Sequence, residues 1–267
     1  MLTQGTSVRS VEKAIELLNV LGDASAPLSL AELSQRTGWP KSTIYGLLSS
    51  LRRSMIVEQS EVDGRYRLGI RLFELGNIVA GSISIIALAK EHLRDIAIQT
   101  GENANLGMLK GSEVLYLDQA DSGMSLRVVA QMGMHAPLHC TAMGKAMLAY
   151  LPPMQLKSML QSLDYKAFTP HTIVEQQALS EELASIRLKG FAIENGEMRI
   201  GLRAVAAPVF DSNGLPQYAI SVAGMFRHIT DERFQLAQEL VIASAQRISA
   251  ALGYRAAPDA QDSARPS

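Results

Sequence analysis

Two stretches of the chain hold residues whose types and spacing could do chemistry. In residues 36 to 71, seven basic side chains (Arg36, Lys41, Arg52, Arg53, Arg65, Arg67 and Arg71) stand against three acids (Glu58, Glu61 and Asp63), a net +4 on a protein of formal charge −1. Such an excess suits the neutralisation of phosphates, although a solvated helix face would carry the same charges. In the second stretch, Thr141 to Ala146, small residues lead into a helix, so that backbone amides near Ala142 and Met143 can point into a cavity. Free amides at a helix start attract a carboxylate without a cationic side chain. A tight structural turn would look the same. His139 and Cys140 precede this loop and invite two further readings. With His135 and His171 they give no recognised metal-ligand spacing. As a nucleophile and base they are poorly placed, since neighbours on an extended strand point to opposite faces. The reading that remains is a pocket-wall or core cysteine.

The elements that must position these residues follow from periodicity. Val8, Val11, Ile15, Leu18 and Leu21 follow the spacing of a helix with one buried face, ended near Gly22. Ser29 with Glu32 is a capping box, flanked by Leu28 and Leu33 at the staple positions, and predicts a helix from Leu30 to about Thr37 with Gly38 as its stop. Pro40 suits a first helical turn, and Ile44, Leu47, Leu48 and Leu51 repeat as on a third helix. Ile56 and Val57 begin an extended run, Asp63-Gly64 is expected as a tight hairpin turn, and Tyr66 and Leu68 return on alternate positions. Three helices and a hairpin make a winged helix-turn-helix, whose third helix enters the major groove while the wing follows the phosphates. Arg52, Arg53, Arg65 and Arg67 are then placed for phosphates and Lys41, Ser42, Thr43 and Tyr45 for bases or backbone, with Arg36 also among the expected DNA-binding residues.

From Ile70 onward, Leu72, Leu75, Val79, Ile83, Ile86, Leu93 and Ile96 form another helical stripe, interrupted around Gly81, which must bury itself on its own domain or on a second copy. Beyond Gly101, β-like runs at 106–109, 114–117, 126–130, 191–193, 204–210 and 218–223 alternate with helical stretches at 144–150, 154–163, 180–188 and 231–252, the last capped by Thr230. An antiparallel sheet flanked by helices, an α+β domain, fits this order. The expected division is a DNA-binding domain at 1–69, a linker helix at 70–84, a second domain at 85–254 and a disordered tail at 255–267.

Composition sets the outer bounds. A chain of 267 residues with 47% hydrophobic and 19% charged side chains has the material for two folded domains. Its one cysteine excludes an internal disulfide and suits a reducing cytoplasm. The opening MLTQGTSVRSVEKAIELL lacks the pattern of a secretory leader, and the longest apolar-looking run, Ile78 to Ala89, falls short of the roughly 20 residues that cross a bilayer. A cytoplasmic protein without a membrane partner is expected.

Four segments together resemble the IclR (isocitrate lyase regulator) family of bacterial transcription factors: RSVEKAIELLNVL at 9–21, LAELSQRTGWPKSTIYGLLSSL at 30–51, GMHAPLHCTAMGKAMLAYLP at 133–152 and ENGEMRIGLRAVAAPVFDSNG at 194–214. The resemblance implies a winged helix-turn-helix, a linker helix and a C-terminal GAF-like effector-binding domain, working as a homodimer or a dimer of dimers on double-stranded operator DNA. It places effector contacts on Ala142, Met143, Glu194, Ala204, Ser221 and Ala223, and His139 and Cys140, immediately before that loop, are counted with them as expected effector-binding residues. Members that sense very small oxoacids tend to show Asp, Cys, Ser and Ser where this chain has Glu194, Ala204, Ser221 and Ala223. Two methyls in place of polar groups suit an effector with an apolar body and one polar end, a small organic or aromatic carboxylate. The chain also departs from the family at Gly46, where Arg is common, and at Met55, where Gly is common. With no paired carboxylates, metal-ligand pattern or phosphate loop between residues 100 and 255, no catalytic residue, metal or cofactor is expected. The rival class is a hydrolase using Cys140 with the winged helix as an accessory; a purely architectural DNA binder would leave most of the chain without a task.

Overall fold

The computed structural model describes residues 8–82, 84–121, 131–225 and 231–255, and the chain divides into two compact units after residue 83. The run at 126–130, the cap at Thr230 and the tail from 256 onward lie outside the described residues.

In the first unit the order is α1 (Arg9–Gly22), α2 (Leu30–Thr37), α3 (Lys41–Arg53), β1 (Val57–Gln59), β2 (Tyr66–Leu68) and α4 (Ile70–Ser82), the last corresponding to most of the expected linker. The start of α2 is fixed by the capping box: the Ser29 hydroxyl accepts from the Glu32 amide at 3.3 Å, and the Glu32 carboxylate accepts from the Ser29 amide at 2.7 Å. The staple residues Leu28 and Leu33 join Leu17, Leu21, Ile44, Leu48, Val57 and Tyr66 in the core. One expectation fails here. Val8, Val11 and Ile15 are each more than half exposed, and Leu17 rather than Leu18 is the fully buried neighbour of Leu21. Periodicity finds an apolar stripe on α1 but does not say which side of it this unit covers.

The hairpin also differs from the tight turn expected. The strands end at Gln59 and Tyr66, joined by residues 60–65, with Gly64 at φ 69° donating its amide to the Ser60 carbonyl. A cross-strand pair, Glu58 opposite Arg67, follows from the register.

α3 ends in a Schellman turn. The Ile56 amide donates to the Leu51 carbonyl at 3.0 Å and the Met55 amide to the Arg52 carbonyl at 2.9 Å, which puts Met55 at φ 55°. A side chain in this left-handed region costs roughly 1–2 kcal/mol.

The second unit contains α5 (Ser84–Thr100), β3 (Asn103–Lys110), β4 (Glu113–Ala120), β5 (His135–Pro137), α6 (Ala142–Leu148), α7 (Pro153–Ser162), α8 (Gln176–Lys189), β6 (Ala192–Asn195), β7 (Leu202–Val209), β8 (Tyr218–Met225) and α9 (Asp231–Ala251). Its six described strands form one antiparallel sheet in the order β5-β4-β3-β8-β7-β6. α5 and α9 lie together on one face, while α6 packs on the other and shares a core with α7 and α8. The alternation of β7 and β8 serves both faces, which explains why they read as continuous apolar runs. β5 is too short to announce itself by alternation. α6 begins at Ala142, two residues ahead of the expected start, because the Thr141 hydroxyl accepts the Gly144 amide at 3.2 Å and caps it. A Cβ at Gly144 would stand 2.4 Å from the Leu138 carbonyl oxygen, so the close approach of α6 to the end of β5 requires glycine. No described helix is long and apolar enough to cross a membrane.

Two substitutions on α3 test this account of its stability. Met55→Gly relieves the positive φ, and Gly46→Ala adds a Cβ that meets nothing within 4 Å in mid-helix. Each is expected to raise the unfolding free energy in urea by about 0.5–1 kcal/mol. A loss of stability in Met55→Gly would show that Met55 makes a contact outweighing its backbone strain.

Candidate functional site

On α3, Ile44 and Leu48 anchor the helix and leave Ser42, Tyr45, Ser49 and Arg52 exposed at helical spacing on the outer side, with Lys41, Ser50 and Arg53 beside them. Lys41, Ser42, Tyr45, Arg52 and Arg53 are thus on an accessible face, Thr43 is half-buried at its edge, and Arg36 is exposed in the last turn of α2. Ser49 was not singled out from sequence, where serine on a helix carries no signal. The wing arginines are less free than their charge suggested. Arg65 donates to the Pro27 carbonyl at 2.9 Å and to Glu32 at 3.0 Å, tying the wing to the start of α2. Arg67 pairs with Glu58 at 2.9 Å. Glu58 also accepts the Ile70 amide, and that hydrogen bond, with Arg67, holds its carboxyl below the usual range.

In the second unit a cavity of about 300 Å³ lies between α6 and the sheet. Ala142, Met143, Glu194, Ala204, Ser221 and Ala223, the positions carried over by resemblance, all line it. Register explains their convergence: Glu194 on β6 is opposite Ala204 on β7, which is opposite Ala223 on β8, and Ser221 lies two residues earlier on the same strand face. Asn105, Tyr116, Met134, His135, Met198 and Arg199 also contribute to the wall and were not anticipated. Of these, Met134, His135, Met198 and Arg199 stood inside the family-like segments; Asn105 and Tyr116 had no local signal. The lining is mostly apolar and includes Ala142 and Met143, the first two residues of α6, whose amides lie outside the helix's own hydrogen-bond ladder.

His139 and Cys140 do not line this cavity, which corrects their placement among the effector contacts. They occupy a turn between β5 and α6 rather than an extended strand. The imidazole Nε2 meets the Lys166 carbonyl at 3.0 Å and packs near Tyr165 and Phe168, while the thiol lies 3.7 Å from the Met198 sulfur. Burial, then the Glu197 and Glu194 carboxylates, push the Cys140 thiol up to about 12, which favours the neutral thiol over the thiolate near neutral pH. No cluster of metal-ligating side chains occurs among the described residues.

The electrostatics of the wall centre on Glu194. Its Oε1 accepts the Met198 amide at 3.1 Å, whereas Oε2 is buried without a hydrogen-bond partner. Burial pushes the carboxyl up to about 7, against the lowering effect of the Met198 and Glu197 amides. The hydroxyl of Tyr116 is pushed up to about 12, first by burial and then by Glu194 and Cys140. Behind the wall, Lys145 of α6 is buried and reaches Glu197 at 2.5 Å and Glu182 at 3.5 Å.

Comparison with known proteins follows the same two-part division. The family model for the "IclR helix-turn-helix domain" matches residues 10–61, and that for the "Bacterial transcriptional regulator IclR C-terminal" matches residues 78–250. The chain is similar to the HTH-type transcriptional regulator XynR of Escherichia coli (strain K12), at 32% identity over 93% of this chain and 99% of that protein. Among solved structures it is similar to the Thermotoga maritima IclR, with 33% identity, a TM-score of 0.79, and coverage of 92% of this chain and 99% of that one. An IclR homologue from Microbacterium hydrocarbonoxydans complexed with 4-hydroxybenzoate shares the fold at 20% identity and a TM-score of 0.81, over 91% of this chain and 98% of that one.

The raised pKa of Glu194 makes a pH prediction. An acid whose pKa is higher folded than unfolded binds more protons in the native state between the two values, so the stability it confers is lost as pH rises from about 4.5 to about 7. Glu194→Gln keeps an oxygen for the Met198 amide and abolishes the titration. The variant is therefore expected to be more stable than the parent at pH 8, with the difference shrinking toward pH 4.5 in urea unfolding. A gap independent of pH would place the titration elsewhere.

Proposed function

Since this chain belongs to the IclR family of DNA-binding transcriptional regulators, we propose that it controls a catabolic operon in response to a small organic or aromatic carboxylate held in the cavity under α6. The observation that carries this reading is the cavity itself: about 300 Å³, largely apolar, lined by Ala204 and Ala223 of the sheet, by Ala142 and Met143 at the start of α6 and by the exposed Arg199. That size is at the lower end for small-molecule sites. Amides at a helix start and a guanidinium favour an anionic group, and the alanines favour an apolar body. The fold accommodates such an acid in the distant homologue solved with 4-hydroxybenzoate.

Operator recognition on this reading runs through the exposed side of α3, with Ser42, Tyr45 and Ser49 toward the bases and Arg36, Arg52 and Arg53 toward phosphates. Two copies act together. Val8, Val11 and Ile15 on α1 and Ile70, Phe73, Leu75 and Ile78 on α4 are exposed apolar side chains within one unit, a larger apolar surface than a lone winged helix needs. Covering it with a second copy gives the two-fold reader that paired half-sites require.

Two variants separate the two roles. DNA recovered by the full-length protein from a random-sequence pool serves as operator, and small carboxylates are screened by thermal shift. Arg52→Ala with Arg53→Ala is expected to flatten the dependence of log affinity on log salt by about 2, near 0.9 per phosphate contact, without changing the acid-induced rise in melting temperature. Ala204→Leu should fill the cavity, abolish that rise and leave operator affinity within about twofold. An unchanged melting shift in Ala204→Leu would move the ligand site out of this cavity.

A further inference from the structure

The burial of Ile44 and Leu48 fixes which residues of α3 face outward. At about 100° per residue, the line opposite them runs through Ser42, Gly46, Ser49 and Arg53, all exposed. Ahead of Arg53 this ridge has no side chain longer than serine, and a Cβ at Gly46 would meet nothing within 4 Å. Lys41 and Arg52, about three turns apart, share one flank of the ridge. Tyr45, the helix's one aromatic residue and 58% exposed, stands between that flank and the ridge.

Each base pair shows its own pattern in the major groove, and each pattern calls for a particular side chain. Guanine is read by arginine or lysine, adenine by the paired groups of asparagine or glutamine, and cytosine by a carboxylate. α3 contains no asparagine, glutamine, aspartate or glutamate. Its cations lie on the flank or at the far end of the ridge, where the Arg53 guanidinium donates to the Ser50 hydroxyl at 3.5 Å. The wing does not make up the lack, because Arg65 and Arg67 are engaged by Glu32 and Glu58. Serine hydroxyls donate or accept and so discriminate little. The base feature left with a definite partner is the thymine methyl, which takes an apolar contact, and the Tyr45 ring is the exposed apolar surface on α3 that supplies one.

We propose that Tyr45 sets operator specificity by packing its ring on the 5-methyl group of a thymine, so that the pairs α3 reads are A·T rather than G·C. This rests on the reading of α3 as the DNA face and names the base which that face selects. The glycine and serines of the ridge let the helix come close to the base edges, which brings the ring within van der Waals reach of a methyl projecting into the groove. Lys41 and Arg52, on the same side, hold the adjoining phosphates and fix the ring's position along the groove.

The test uses the DNA that the full-length protein selects from a random-sequence pool. Its thymines are replaced one at a time by deoxyuridine, which removes the methyl and keeps every hydrogen-bonding group, and affinity is measured by fluorescence anisotropy. At least one replacement is expected to weaken binding about fourfold, the worth of burying one methyl-sized group. In Tyr45→Ala, which removes an exposed side chain and leaves the core intact, that duplex should bind as tightly as the unmodified one. Tyr45→Phe keeps the ring and should keep the fourfold loss. An operator indifferent to deoxyuridine at every position, or a sensitivity that survives Tyr45→Ala, overturns the proposal. The salt dependence of Arg52→Ala with Arg53→Ala then shows how far the failure reaches: a flattened slope keeps α3 on the DNA and confines the error to Tyr45, whereas an unchanged slope removes α3 from the DNA altogether.

Discussion

Lys145 puts an ammonium where water does not reach: 1% exposed, it meets Glu197 at 2.5 Å and Glu182 at 3.5 Å. Removing an ion from water costs several kcal/mol even after relaxation, and a buried pair that loses one member loses about 3–5 kcal/mol of stability. Glu197 must therefore stay where Lys145 can reach it, and burial still outweighs that partner in raising the Glu197 carboxyl above its usual range. The consequence is structural. Glu197 belongs to the turn between β6 and β7 that supplies Met198 and Arg199 to the cavity wall. The same turn is held by Thr169 and Thr172, whose hydroxyls donate to the Gly196 carbonyl at 2.6 Å and the Glu197 carbonyl at 2.7 Å, and by Glu194 through the Met198 amide. A ligand entering the cavity thus meets a wall fixed from α6, from the 169–172 turn and from the sheet.

The opposite wall is fixed by packing. Gly144 lets α6 lie against the end of β5, and Thr141 caps the helix whose first residues, Ala142 and Met143, line the cavity. Ala142, Met143, Ala146 and Met147 then share a core with Leu179, Leu183 and Ile186 of α8. The helix carrying the candidate anion contact is thereby the helix carrying Lys145. Any displacement of α6 by a bound carboxylate must act on the ion pair as well, which is a physical route from ligand to the rest of the unit.

What could be read from the residues was what depends on neighbours in sequence. The Ser29–Glu32 capping box and the amphipathic face of α3 act over a few residues, and each has a local signature; Met55 was marked only by its departure from the family's glycine, and the structure supplies the strain. The six positions assigned to the cavity came from resemblance; the sheet register gathers Glu194, Ala204, Ser221 and Ala223, and α6 brings Ala142 and Met143 to them. The exposed side of α1, the wider loop of the hairpin and the turn holding His139 and Cys140 were misjudged because each is decided by packing that pattern alone does not specify. Lys145 and Asn105 were invisible for the same reason: one is a lone charge in an apolar helix whose partner lies 52 residues away, the other a strand asparagine whose partner lies 116 residues away.

The proposed regulation requires that an acid in the cavity of the second unit and DNA on the face of α3 be linked. The direct measurement is the affinity of the full-length protein for its selected DNA with and without a saturating acid whose binding has been established by thermal shift. Linkage of this kind amounts to 1–3 kcal/mol, so operator affinity should change by about 5- to 150-fold, in either direction, and the acid should bind DNA-loaded protein with the same ratio. Equal operator affinity in the two conditions, with the acid demonstrably bound, would contradict it.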